Sequence, residues 1–276
     1  MIRVFPKQTS FTPDDELSFV GLPPLFRPKE QLPVRISCVF TWDIPTAEKL
    51  KEEWSMYYDD VKVGGPAYGD EGGEFIPELF TKKGITITSR GCNKKCKWCF
   101  VPKREGSLRE LQIKDGWIVN DNNLLQCSDQ HIKNVFDMLR RQPKAAEFKG
   151  GIDKALLKDW HRGLLDSIRL KEIWLACDTE SAITQLARAA KILEGIKTYK
   201  KRCYVLIAFD NETPLEAEKR LEKIYNLGFW PFAQLYQPEQ KRTYSKAWKQ
   251  LVRKWSRPAA FNTYMKDKKW LNMKIQ

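Results

Sequence analysis

Between residues 84 and 236 the chain alternates short β-rich runs with amphipathic runs of helical period. This rhythm restricts the fold more than any other feature. The β-rich runs fall at 84–89, 117–120, 146–149, 172–177, 203–209 and 229–236. Helical runs fall at 129–141, 154–167, 180–193 and from Pro214 to near Gly228. The first of them puts Ile132, Val135, Phe136 and Leu139 on one face, with Ser128 or Asp129 as N-cap. Proline inside the start and glycine past the end bracket the last. Strands joined through helices pair in parallel, with the helices outside the sheet. Six such units are too few for a closed eight-unit barrel. The expected fold class is therefore α/β, an open, partial (βα)6 TIM-type barrel. Ligands of such sheets bind beyond the C-terminal ends of the strands. Those ends carry a cysteine-rich loop, then Asp121-Asn122-Asn123, Gly150-Gly151-Ile152-Asp153, Asp178, Asp210-Asn211-Glu212-Thr213 and Gln237-Pro238.

At 276 residues and 42% hydrophobic content, the chain holds one large domain, or one domain and a small extension. No apolar run reaches the roughly 18 residues that would suggest a membrane span. The start, Met-Ile-Arg-Val-Phe-Pro-Lys-Gln, lacks the apolar core of a signal peptide, so a cytoplasmic, reducing location is expected, with no membrane partner. Seven cysteines, unevenly spaced, argue against a disulfide framework. Only Cys92, Cys96 and Cys99 cluster. Cys38, Cys127, Cys177 and Cys203 read as small buried side chains.

The clustered three stand in Gly91-Cys92-Asn93-Lys94-Lys95-Cys96-Lys97-Trp98-Cys99-Phe100, at spacing C-x3-C-x2-C with an aromatic before the third. Three thiolates on one loop suit three corners of a [4Fe–4S] cluster and leave one iron open to a small molecule. The motif resembles the signature of the radical S-adenosylmethionine (SAM) superfamily, and residues 81–240 as a whole are similar to small members found in bacteria and phages. That resemblance implies a [4Fe–4S] cluster on Cys92, Cys96 and Cys99. It implies SAM bound at the open iron and cleaved to a 5′-deoxyadenosyl radical. It also implies SAM contacts from Trp98 and Phe100, from Asp121, Asn122 and Asn123, from Gly150 and Gly151, and from Asp178. Glu212 and Thr213 would cap the helix behind SAM. Lys94, Lys95 and Lys97 would help dock a flavodoxin- or ferredoxin-type electron donor. The competing reading of the cysteines is a structural zinc site completed by Cys127 or His131.

Residues 1–33 are rich in proline and read as an extended arm. A strand at 34–40, a helix from Pro45 with Ala47, Leu50, Trp54 and Tyr57 on one face, and a strand at 60–63 make a small β-α-β extension. With Gly64-Gly65-Pro66 behind it, this unit is similar to a reduced form of the Rossmann-like domain of cobalamin-dependent relatives. The cobalamin-ligating D-x-H-x-x-G is missing, so no cobalamin is expected. Three segments follow: 1–80, 81–240 and a basic, aromatic tail at 241–276.

The tail holds eleven of the Lys and Arg residues against one acid, so it carries +10 of the net +13. Lys241, Arg242, Lys249, Arg253, Lys254 and Arg257, interleaved with aromatics, suit the phosphates and bases of a nucleic acid. Tyr244, Trp248, Leu251, Val252 and Trp255 recur at helical spacing, as in a helix packed on the barrel. The expected function is a radical SAM enzyme acting on a nucleic-acid base or nucleotide. The alternatives are a peptide- or protein-modifying radical SAM enzyme and a zinc-stabilised nucleic-acid-binding protein.

Overall fold

The computed structural model describes residues 1–238 and 242–265. It is a mixed α/β chain with parallel sheets, in two compact units, Met1–Ala146 and Glu147–Gln276. The expected segment boundary at 80 falls inside the first unit and the one at 240 inside the second. No helix among the described residues is long and apolar enough to cross a membrane.

The first unit opens with a four-stranded parallel sheet. Its strands are β1 (Ile2–Phe5), β2 (Ser18–Val20), β3 (Val34–Ser37) and β4 (Val61–Gly64), in the order β2-β1-β3-β4. Val4 stands opposite Ile36, and Ile36 opposite Val63. Helix α1 (Ile44–Ser55) has Pro45 in its first turn and buries Ala47, Leu50 and Trp54. These side chains close over Ile2, Val4, Val34 and Ile36 in one core. Two expectations are corrected here. Residues 2–5 are a fully buried central strand, not part of an extended arm. The prolines that suggested an arm begin only at Pro6, after the strand-forming Ile-Arg-Val-Phe. Tyr57 is exposed, because the helix ends at Ser55 and the next turn carries Tyr58 inward instead.

The rest of this unit carries β5 (Ile85–Thr86), β6 (Ser89–Arg90), α2 (Val101–Glu105), β7 (Arg109–Glu110), β8 (Ile118–Val119) and α3 (Asp129–Arg140). β5 and β8 pair in parallel, whereas β6 and β7 pair antiparallel. The expected strand at 84–89 is thus broken in two. The break has a cause: the Thr88 N–H is taken by the Asp121 carboxylate at 2.6 Å rather than by a strand. Ser128 is the N-cap of α3, its hydroxyl accepting from the His131 N–H at 3.2 Å.

Strand β9 (Ala146–Phe148) opens at the boundary between the units. The second unit then runs α4 (Asp159–Asp166), β10 (Leu170–Ala176), α5 (Ile183–Ile192), β11 (Lys201–Ile207), α6 (Pro214–Asn226), β12 (Trp230–Leu235) and α7 (Lys246–Ser256), with a further helix over 258–265. β10, β11 and β12 pair in parallel, with Leu175 opposite Cys203 and Cys203 opposite Pro231. On β11, Cys203, Val205 and Ile207 are fully buried while Arg202, Tyr204 and Leu206 are half-buried, the alternation of a strand with two different faces. Tyr204 stacks on Trp174 at 4.2 Å between ring centroids and meets Phe232 edge-on at 6.1 Å. Helix α4 starts later than expected, because the Asp153 carboxylate takes the Ala155 N–H at 3.0 Å and forms a turn first. Thr213 and Glu216 form a capping box around Pro214, and Gly228, at φ +81°, follows the helix end.

The expected packing role of the tail helix is present. α7 buries Leu251 and Trp255, Tyr244 is buried ahead of it, and Trp255 and Tyr225 both meet the Phe261 ring at 5.2 Å.

Candidate functional site

The cysteine loop leaves β6 at Gly91, and its path is set there. Gly91 has φ +76°, and a Cβ at this position would lie 2.2 Å from the Ser107 carbonyl oxygen. Only glycine lets the two backbone segments come this close. Three clips then hold the loop's first half. Cys92 N–H donates to the Gly106 carbonyl at 3.1 Å. Asn93 N–H donates to Gln126 Oε1 at 2.8 Å, and Asn93 Oδ1 accepts from Leu108 N–H at 3.0 Å.

None of the seven cysteines forms a disulfide. Cys92 and Cys96 are half-buried and Cys99 is exposed. Three N–H groups are directed at Cys92 Sγ: the Lys94 amide at 3.5 Å, Gln126 Nε2 at 3.5 Å and Asn123 Nδ2 at 3.8 Å. Hydrogen bonds to ligand sulfurs are among the features that tune iron–sulfur clusters. The Cys99 thiol is pushed above its ordinary value, first by desolvation among neighbouring atoms although the residue reaches the surface. The charges of Cys96 and Cys92 push it further in the same direction. Trp98 is half-buried and Phe100, the residue before α2, is exposed; Lys95 and Lys97 are exposed and Lys94 half-buried.

Among the described residues, no three or more His, Cys, Asp or Glu side chains converge closely enough to hold a single metal ion. Ligands of one tetrahedral zinc, each about 2.3 Å from it, must lie within roughly 4 Å of one another. Cluster ligands bind separate irons and carry no such requirement. The donor set, three thiols on one clipped loop with N–H groups aimed at a sulfur, fits an iron–sulfur cluster chemically.

At the end of β8 the three expected SAM contacts have different fates. Asp121 is 1% exposed. Its Oδ1 accepts the Thr88 N–H, and its Oδ2 accepts the Thr88 hydroxyl at 2.6 Å and the Ser89 hydroxyl at 2.9 Å. Burial pushes its carboxyl up, against the pull of those donors. Both oxygens are therefore committed to anchoring the strand that leads into the cysteine loop. Asn122 donates to Glu105, and Asn123 turns toward Cys92.

Nothing in the pattern of residues singles out Glu105. It lies in a run of charged residues, yet is 4% exposed. It accepts from Arg104 Nε at 3.1 Å, from Asn122 and from the Gly91 N–H at 3.5 Å, and Arg90 stands 3.9 Å away. Glu105 thus ties together the start of the cysteine loop, the end of α2 and the end of β8. Gln126 was missed as well; an isolated glutamine carries no spacing signal.

Gly150, Gly151 and Asp178 belong to the second unit. Gly151 has φ +101°, and the next residue, Ile152, donates its N–H to the Trp174 carbonyl at 2.6 Å. Asp178 Oδ1 accepts the Leu206 N–H at 2.9 Å, which fixes the ends of β10 and β11 together. Thr213 caps α6 as expected, but Glu212 does not. Glu212 accepts the Ala208 N–H at 3.0 Å and pairs with the buried Arg220, whose guanidinium also holds the Cys177 and Leu206 carbonyls, each at 2.9 Å. This compensates a turn in which Ala208 and Asp210 both have positive φ. Burial pushes the Cys127 thiol up to about 12 and the Cys177 thiol up to about 11, which marks both as unreactive.

Of the tail cations, Lys241 lies outside the described residues. Arg242 donates to the Ala208 carbonyl at 3.3 Å and Lys254 pairs with Glu218. Lys249, Arg253 and Arg257 are exposed, with no side-chain hydrogen bond or ion pair among the described residues. Compared with known proteins, the chain matches no family profile, and no curated protein resembles it significantly in sequence.

Proposed function

We propose that this chain is a radical SAM enzyme that acts on a nucleic-acid base or nucleotide, with an open (βα)6 barrel as its frame. The observation that carries the reading is the loop of three thiols at C-x3-C-x2-C spacing, clipped in place just after the short antiparallel strand β6, with N–H donors on Cys92 Sγ. A [4Fe–4S] cluster held there would supply the electron that splits SAM into methionine and a 5′-deoxyadenosyl radical.

The chain's own residues contribute placement. Cys92, Cys96 and Cys99 would hold the cluster. Gly91 and the clips to Gly106, Leu108 and Gln126 keep the loop's shape, and Glu105 joins it to the end of β8. Asp121 acts as a positioning residue through Thr88 and Ser89. Lys249, Arg253 and Arg257 leave three positive charges open to a polyanion, and this supports the nucleic-acid substrate.

The test is anaerobic reconstitution with iron and sulfide, then dithionite and SAM, with 5′-deoxyadenosine as the readout. Cys96→Ala should lose both the visible iron–sulfur absorbance and the product. Turnover in that variant would reject the ligand assignment. Replacing Lys249, Arg253 and Arg257 by Gln should lower the salt dependence of single-stranded RNA binding by about two units of log–log slope, at roughly 0.7 per lost phosphate contact. An unchanged slope would remove the tail from the substrate argument.

A further inference from the structure

The strands of the second unit also have N-terminal ends, opposite to Gly151 and Asp178. There a cleft of about 320 Å³ opens between the end of α4 and the turn into β11. Arg162, Lys197 and Lys200 line it, against a single carboxylate, Asp166. Arg162 Nε reaches both oxygens of Asp166 at 2.9 Å, so that the acid is already neutralised. The same guanidinium holds the Ile192 and Glu194 carbonyls and fixes the cleft wall. Lys200 donates one N–H to the Leu170 carbonyl at 2.8 Å, which leaves two. Lys197 lies 6.0 Å from the ring centroid of Tyr199, which lines the cleft and is exposed.

Next in sequence, Lys201 is 7% exposed and has no ion pair or side-chain hydrogen bond among the described residues. Its nearest ring is Phe229, 5.4 Å away. Burial, and after it the charge of Arg162, pushes its ammonium group below the ordinary lysine value, against the weaker opposing pull of Glu194. Lys197 and Lys200, the two cations of the cleft that Asp166 does not offset, raise a positive potential that an anion relieves. Lysine ammonium groups bind phosphate as point charges, and the volume matches the small end of ligand pockets, about 300 Å³.

We infer that this cleft binds a phosphate group, carried by a nucleotide or by a nucleic-acid strand, with Tyr199 as a stacking surface for an attached base. Nothing in this inference depends on radical chemistry, and its test is a binding measurement on the full chain. Inorganic pyrophosphate, AMP and a single-stranded RNA oligomer would be titrated by calorimetry at fixed ionic strength, with chloride as control. Pyrophosphate should bind where chloride does not. Lys197→Gln with Lys200→Gln should weaken it about tenfold or more, with circular dichroism showing the ligand-free variant folded at the assay temperature. Arg162 is left intact because it holds the chain. If AMP binds more tightly than pyrophosphate and Tyr199→Ala removes the difference, the ligand is a nucleotide. If pyrophosphate displaces the RNA oligomer, it is a strand. No binding of any of the three, or binding that the double variant leaves within about twofold, overturns the inference.

Discussion

Gly91→Ala tests the claim that backbone geometry shapes the cysteine loop. Two costs are expected. Placing an L-residue at φ +76° costs roughly 1–2 kcal/mol. The new methyl would then lie 2.2 Å from Ser107 O, 2.6 Å from Ser107 C and 2.8 Å from Gly106 O. These are backbone atoms that no rotamer change can move, and crowding of this kind adds about 1–3 kcal/mol. A total near 3 kcal/mol corresponds to roughly 6–12 °C in the melting temperature of a unit this size. Gly69→Ala is the control. Gly69 has nearly the same φ, +78°, but a methyl added there would meet nothing within 4 Å, so only the strain of about 1 kcal/mol remains. The assay is thermal unfolding followed by circular dichroism on reduced protein, paired with the rate of thiol labelling. Gly91→Ala should speed labelling of Cys92, whose N–H bond to Gly106 must give way, and Gly69→Ala should not. Equal melting shifts for the two variants, or unchanged labelling of Cys92, would refute the reasoning.

Arg220→Met should destabilise by about 3–5 kcal/mol in urea titrations, because it strands the Cys177 and Leu206 carbonyls and the Glu212 carboxylate. The double variant Arg220→Met with Glu212→Leu should regain part of that loss; losses that simply add would contradict the pairing. Lys201→Met, measured in phosphate-free buffer, should raise stability at neutral pH by about 1 kcal/mol, since it removes a buried charge whose desolvation outweighs the more distant pull of Glu194. The sign of the pH effect follows from the depressed ammonium. The unfolded chain binds the Lys201 proton more tightly, so wild-type stability climbs with pH from the lowered value up to 10.5, the ordinary one. The Met variant should lack that rise, and an identical slope in both proteins would count against the buried charge.

How much of this was legible beforehand depends on the kind of interaction. Strands β10 to β12 and helices α3, α5 and α6 announce themselves through apolar periodicity and through Ser128, Thr213, Pro214 and Gly228 at their ends. The cysteine spacing and the glycine before it are local, so they too could be read. What escaped was non-local. Glu105 looks like any charged residue in a Lys- and Arg-rich run, and only the fold brings Arg104, Asn122 and Gly91 around it. Asp121 was expected to face a ligand because it ends a strand. Whether its carboxylate points outward or back at Thr88 and Ser89 is decided by a partner 33 residues away. Arg220 sits on a helix whose apolar pattern gives no hint that one cation is turned inward.

The order β2-β1-β3-β4 has a consequence for how the molecule is assembled. During synthesis, Ile2–Phe5 emerges well before either of its neighbours, yet it becomes the middle of the sheet. It stays without a ladder on either side until Ser18–Val20 and then Val34–Ser37 have left the ribosome. Shortening the chain past Phe5 would remove the seam that joins β2 to β3, rather than trimming a border.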